Sequence, residues 1–145
     1  VHEAWEVTRQ VADALRARVV VFQCPPSFGE SPENVENLRR FFRWLPREGR
    51  LLVWEPRGDW SPETVRGLCQ ELDLIHCVDP MLARSLYGQP RYLRLHGGPG
   101  YRHKHTREEL EALRALAQEQ DCYVLFNNLT MREDALEFLG LLRGS

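Results

Sequence analysis

Leu51-Leu52-Val53-Trp54-Glu55-Pro56-Arg57-Gly58-Asp59-Trp60-Ser61-Pro62 holds a strand, a loop and a helix start in one short passage. The apolar run ends in charge at Glu55, and the Pro/Gly cluster behind it breaks the extended chain. Ser61-Pro62 then sets a capping hydroxyl before a proline at the first helical position. Val65, Leu68 and Leu72 follow at three-four spacing, one apolar stripe on a helix. A strand that hands directly to a helix is the half-unit of a parallel α/β fold.

The same unit recurs along the chain. The other apolar runs are Val19-Val20-Val21-Phe22-Gln23, Leu74-Ile75-His76-Cys77-Val78-Asp79, Tyr92-Leu93-Arg94-Leu95-His96 and Tyr123-Val124-Leu125-Phe126-Asn127. Their near-continuous apolarity predicts strands covered on both faces. Ser31-Pro32 opens a helix carrying Val35, Leu38, Phe41, Phe42 and Leu45, and Thr106-Arg107-Glu108-Glu109 is a capping box ahead of Leu110, Leu113, Leu116 and Ala117. Residues 3–17 and 131–143 read as two more amphipathic helices, and only a short helix near Met81–Leu86 fits between the third and fourth strands. The predicted fold is α/β: five parallel strands in (β/α) units, either an open sheet or part of an eight-stranded barrel.

At 145 residues the chain is expected to form one domain, 1–145, large enough to bury roughly 70% of its unfolded surface. A formal net charge of −2 excludes a global basic field that would recruit nucleic acid or anionic membrane. No run approaches the ~20 apolar residues of a membrane helix, and the sequence is expected to be cytoplasmic. Cys24, Cys69, Cys77 and Cys122 lie far apart, without a Cys-x-x-Cys pair, and are expected to be reduced. Val1-His2-Glu3-Ala4-Trp5 is neither a signal peptide nor an initiator start, which suggests a fragment or a processed chain.

Polar residues gather where the strands end. Strand side chains alternate, so Glu55 and Arg57 share a face, as do Arg94 and His96, and the remaining strands finish in Gln23, Asp79 and Asn127. In parallel α/β folds that C-terminal edge is where ligands bind. Arg57 and Arg94 suit a phosphate or carboxylate. Glu55 or Asp79 would serve as general base and His96 as acid or oxyanion donor, with Gln23 and Asn127 orienting the substrate. The chemistry fits an enzyme of hydrolase or lyase type on an anionic or polyhydroxylated small molecule. Two other classes stay open: a nucleic-acid-related module, with arginines on phosphates and tryptophans on bases, and a non-catalytic ligand-binding or scaffold domain. Trp54 is expected under a helix and Trp60 over the site as a stacking surface. His103 and His105 flank Lys104 in what reads as a solvated loop, so no metal ligand is assigned and no cofactor is expected.

These strand ends carry a pattern. Phe22-Gln23-Cys24-Pro25-Pro26-Ser27-Phe28, Trp54-Glu55-Pro56-Arg57 with Trp60, Tyr92-Leu93-Arg94-Leu95-His96-Gly97 and Phe126-Asn127-Asn128, in this order, resemble the YecE-like proteins, domain of unknown function 72. The resemblance runs from about Val11 to Leu142. It implies a TIM-barrel-like fold with Gln23, Glu55, Arg57, Arg94, His96 and Asn127 at the strand ends, and it implies no particular reaction. The family's tyrosine-rich stretch after the His-Gly pair becomes Tyr101-Arg102-His103-Lys104-His105 here, and Tyr101 joins the substrate-binding candidates. The family's first strands have no counterpart, so the resemblance implies a partial barrel, expected to be completed by a second copy in a homo-oligomer or by strands supplied elsewhere rather than left open with its edges covered by helix.

Overall fold

The computed structural model describes residues 2–144, which divide into two compact units between Ile75 and His76. The α/β architecture of five parallel strands in strand–helix units is the one expected of a partial TIM-barrel-like sheet. Among the described residues no helix is long and apolar enough to cross a membrane.

The first unit runs α1 (His2–Ala14), β1 (Val19–Cys24), α2 (Pro32–Trp44), β2 (Leu51–Pro56) and α3 (Pro62–Leu72). β1 and β2 pair in parallel from Val19 opposite Leu51 to Cys24 opposite Pro56. The helices begin where the sequence placed their caps: Ser31 accepts from the Asn34 amide and Ser61 from the Thr64 amide. Phe22 points from β1 into an aromatic cluster with Trp5, Phe41 and Phe42, ring centroids 5.1–5.7 Å away. Arg39 and Arg43 of α2 both meet Glu71 of α3.

In the second unit β3 (Ile75–Val78) pairs in parallel with β4 (Arg91–Leu95), and β4 with β5 (Cys122–Phe126). A single 3₁₀ turn (Pro99–Tyr101) precedes α4 (Arg107–Glu119), and α5 (Met131–Arg143) follows β5. Leu93 and Leu95 of β4 pack with Leu110 and Leu113 of α4 and with Phe138 and Leu141 of α5.

The helix expected near Met81–Leu86 does not form. Asp79 O accepts from both the Leu82 and the Ala83 amides, one turn only. The chain is then pulled extended along β3, because the His76 ring accepts from the Leu86 amide at 3.1 Å and the Ser85 hydroxyl donates to His76 O. β5 also departs from expectation: Tyr123 and Leu125 are 40% and 37% exposed, so this strand is covered on one face only.

Candidate functional site at the strand ends

In the first unit Gln23 and Glu55 face each other in register at the ends of β1 and β2. Glu55 is 3% exposed, and its carboxylate stands 3.5 Å from the Arg57 guanidinium, the partner its burial demands. The loops beyond are closed by aromatics. Trp54 is fully buried and meets Trp60 edge to face at 5.2 Å, while Trp60 Nε1 donates to Phe28 O at 2.7 Å. Gly58 is needed there because a Cβ would lie 2.3 Å from the Phe28 carbonyl oxygen.

In the second unit the residue after β3 organises the end of β4. Asp79 Oδ2 accepts from the His96 amide at 2.8 Å and lies 3.5 Å from the His96 ring, while Oδ1 accepts from the Met81 amide. One carboxylate thus fixes the start of its own loop and the histidine on the next strand. Tyr101, held at φ 58°, stands with its ring 6.1 Å from that of His96. Arg94 is half-buried two residues before His96, in register with Leu125, and Asn127 lies one residue past the pair of Leu95 and Phe126. Asp79, His96 and Tyr101 therefore come together. Asn127 contributes its amide to Leu95 O, a continuation of the ladder.

The loop after His96 is tied down by a polar knot at the neighbouring asparagine. Asn128 is 2% exposed; its Nδ2 donates to His103 O, to Thr130 Oγ1 and to Asp134 Oδ2 at 2.6 Å. Asp134, 0% exposed, also accepts from the Thr130 hydroxyl and the His105 amide. Gly97 (φ 71°) makes room, since a Cβ would lie 2.7 Å from the Asn128 Cβ. Sequence reasoning picked Asn127; the residue that builds the loop is Asn128. The available signal was Asn128-x-Thr130-x3-Asp134, polar residues repeating on the buried side of a helix start.

His105 is not the solvated loop residue expected. It is 3% exposed; Nδ1 lies 3.4 Å from Glu109 Oε2, and Nε2 has no hydrogen-bond partner, an arrangement that costs roughly 1–3 kcal/mol. His103 is exposed, and its Nε2 donates to Glu109 Oε2 at 2.7 Å. Burial pushes the Glu109 carboxyl up, but the hydrogen bonds from His103 and from the Thr106 amide outweigh it and hold the group below its ordinary value.

Hollows open at both ends of the strands in this unit. A cleft of about 430 Å³ at the C-terminal ends of the strands is lined by Asp79, Leu82, Gly97, Gly98, His103 and His105, among others. A larger hollow of about 540 Å³ lies at the opposite ends, between Gln89, Pro90, Asp121, Cys122 and Tyr123. The smaller cleft is the better candidate because carboxylate and imidazole groups converge on it. The four cysteines are free thiols, and burial pushes Cys69 up to about 12, far from nucleophilic use.

The chain resembles known structures over nearly all its length. A DUF72 family protein from Thermotoga maritima superposes with TM-score 0.74 at 24% identity, covering 97% of this chain and 65% of that one. A DUF72 family protein from Enterococcus faecalis V583 gives TM-score 0.70 at 20% identity, covering 94% and 66%. The chain thus spans just under two thirds of the length of these relatives. No functionally curated protein matches it. The family model for the protein of unknown function DUF72 matches residues 1–143, and the chain belongs to that family.

Proposed function

We propose that the second unit carries an enzyme site of hydrolase or lyase type, in the cleft at the ends of β3 and β4, for an anionic or polyhydroxylated small molecule. The observation that carries this is the grip of Asp79, a wall of the cleft, on His96. Both Asp79 oxygens are engaged, so Asp79 is a positioning residue, and His96 is the acid–base group. Arg94 supplies the charge for a phosphate or carboxylate, and Tyr101 an aromatic surface with its ring 6.1 Å from that of His96. Asn127 is a candidate for orienting the substrate here, and in the first unit Gln23, Glu55 and Arg57 form a strand-end set of their own, suited to orienting, base and anion-binding roles.

A thermal-shift screen of sugar phosphates, sugar acids, neutral sugars and oligonucleotides tests this. A ligand at 100 times its Kd stabilises by about 2.7 kcal/mol, a readily measured rise in Tm. The expected result is a response to one small-molecule class that disappears in His96→Ala and Arg94→Ala. A response that survives both substitutions, or one confined to oligonucleotides, rules the reading out.

A further inference from the structure

We propose that His103, His105 and Glu109 form a binding site for a divalent transition metal of the zinc type, with an open coordination position toward the cleft. This goes beyond the acid–base reading and is tested without any substrate. Their ligand atoms all lie within 4.8 Å of one another. Tetrahedral coordination at ~2.0–2.1 Å per bond places ligand atoms roughly 3.3 Å apart. His105 Nδ1 is already 3.4 Å from Glu109 Oε2, and His103, the exposed member, has only to open from 2.7 Å.

A helix cap alone does not account for the cluster. The capping box explains Glu109, which accepts from the Thr106 amide and sits at the third helical position. It does not explain a buried imidazole whose Nε2 has no partner and whose Nδ1 has only the 3.4 Å approach of Glu109, backed by Phe126 at 5.9 Å and lining the same cleft. A metal would take one of its ring nitrogens as a ligand. The loop is also preorganised: His103 is held at both main-chain ends by Gly97 O and Asn128 Nδ2, and the His105 amide by Asp134. Two imidazoles and a carboxylate select zinc, cobalt or nickel over magnesium or calcium. Three protein ligands beside a cavity leave the fourth position to water or substrate. The helix N-terminus and exposed Lys104 both oppose a cation, so the expected affinity is micromolar rather than tighter.

The metal-stripped full chain is titrated with Zn²⁺ by calorimetry and with Co²⁺ by visible absorption. One equivalent per chain is expected, with cobalt bands of a nitrogen–oxygen site. His103→Ala, at the exposed member, and Glu109→Gln, which keeps the helix cap, should each weaken binding about 10-fold or more while far-UV circular dichroism stays unchanged. His105→Tyr, which fills the buried space, should abolish it. No stoichiometric binding by the folded chain overturns the site. So does binding unchanged in His103→Ala and Glu109→Gln, or a thiolate charge-transfer band that places the metal on a cysteine.

Discussion

The two units close their strand ends by different physics. Beyond β1 and β2, Trp54, Trp60 and Phe28 pack ring against ring and carbonyl, with Gly58 admitting the Phe28 backbone. Beyond β4 and β5, Asn128 and Asp134 tie the loop by buried hydrogen bonds, with Gly97 admitting Asn128. Aromatic contacts depend on volume and carry no charge, and a carboxylate beside them, Glu30, accepts from the Ser61 amide and the Thr64 hydroxyl in an exposed setting. A buried polar closure is unforgiving, because each lost partner strands a group that has already left water. The polar closure is also the one beside converging carboxylate and imidazole groups. That juxtaposition suits a site that must hold titratable groups at fixed distances.

Asn128→Leu should cause the largest loss, about 3 kcal/mol or more in urea unfolding, because the Asp134 carboxylate loses its closest donor in a fully buried setting. A loss under about 1 kcal/mol would show that the knot is not what holds this loop.

The next effect separates the units by pH. Burial, with Arg91 adding to it, lowers His76 to about 4 from the ordinary 6.5. The unfolded chain therefore takes up a proton before the folded one does. Stability should fall as pH drops through the window from 6.5 to about 4, by about 1.4 kcal/mol per pH unit at most and about 3 kcal/mol in total. His76→Asn, which keeps an acceptor for the Leu86 amide, should remove that slope from the stability–pH curve. An unaltered slope would place its origin elsewhere.

Gly97→Ala should cost about 2 kcal/mol, through a positive φ and the contact with Asn128, and should lower the protection of the His103 amide against hydrogen exchange. In the first unit, Trp60→Phe keeps the stacking and loses only the indole N–H to Phe28 O. About 1 kcal/mol is expected, the same at pH 5 and pH 7. A pH-dependent loss there would blur the contrast between the units.

The fold was legible because its signals are local and repeated. Ser31, Ser61 and Thr106 announced their helices, and each cap is made as the sequence implied. The site was legible in outline only. Alternation along β2 and β4 put Glu55, Arg57, Arg94 and His96 at strand ends, and the structure pairs Glu55 with Arg57 and Asp79 with His96. What sequence could not supply was burial within loops. Nothing in Tyr101-Arg102-His103-Lys104-His105 distinguishes the exposed His103 from the buried His105. That difference comes from Asn128 and Asp134, more than twenty residues away, folding back over the loop. The missing helix after Asp79 has the same kind of origin, since His76, Ser85 and Leu86 satisfy one another's polar groups and leave no call for helical bonds.

The most direct test of the strand-end site is crystallographic screening of the full chain with small sugar phosphates and sugar acids. The account predicts ligand density in the cleft walled by Asp79, Gly97 and Gly98, within reach of His96. Density confined to the hollow between Pro90, Asp121 and Tyr123, at the other ends of the same strands, would contradict it.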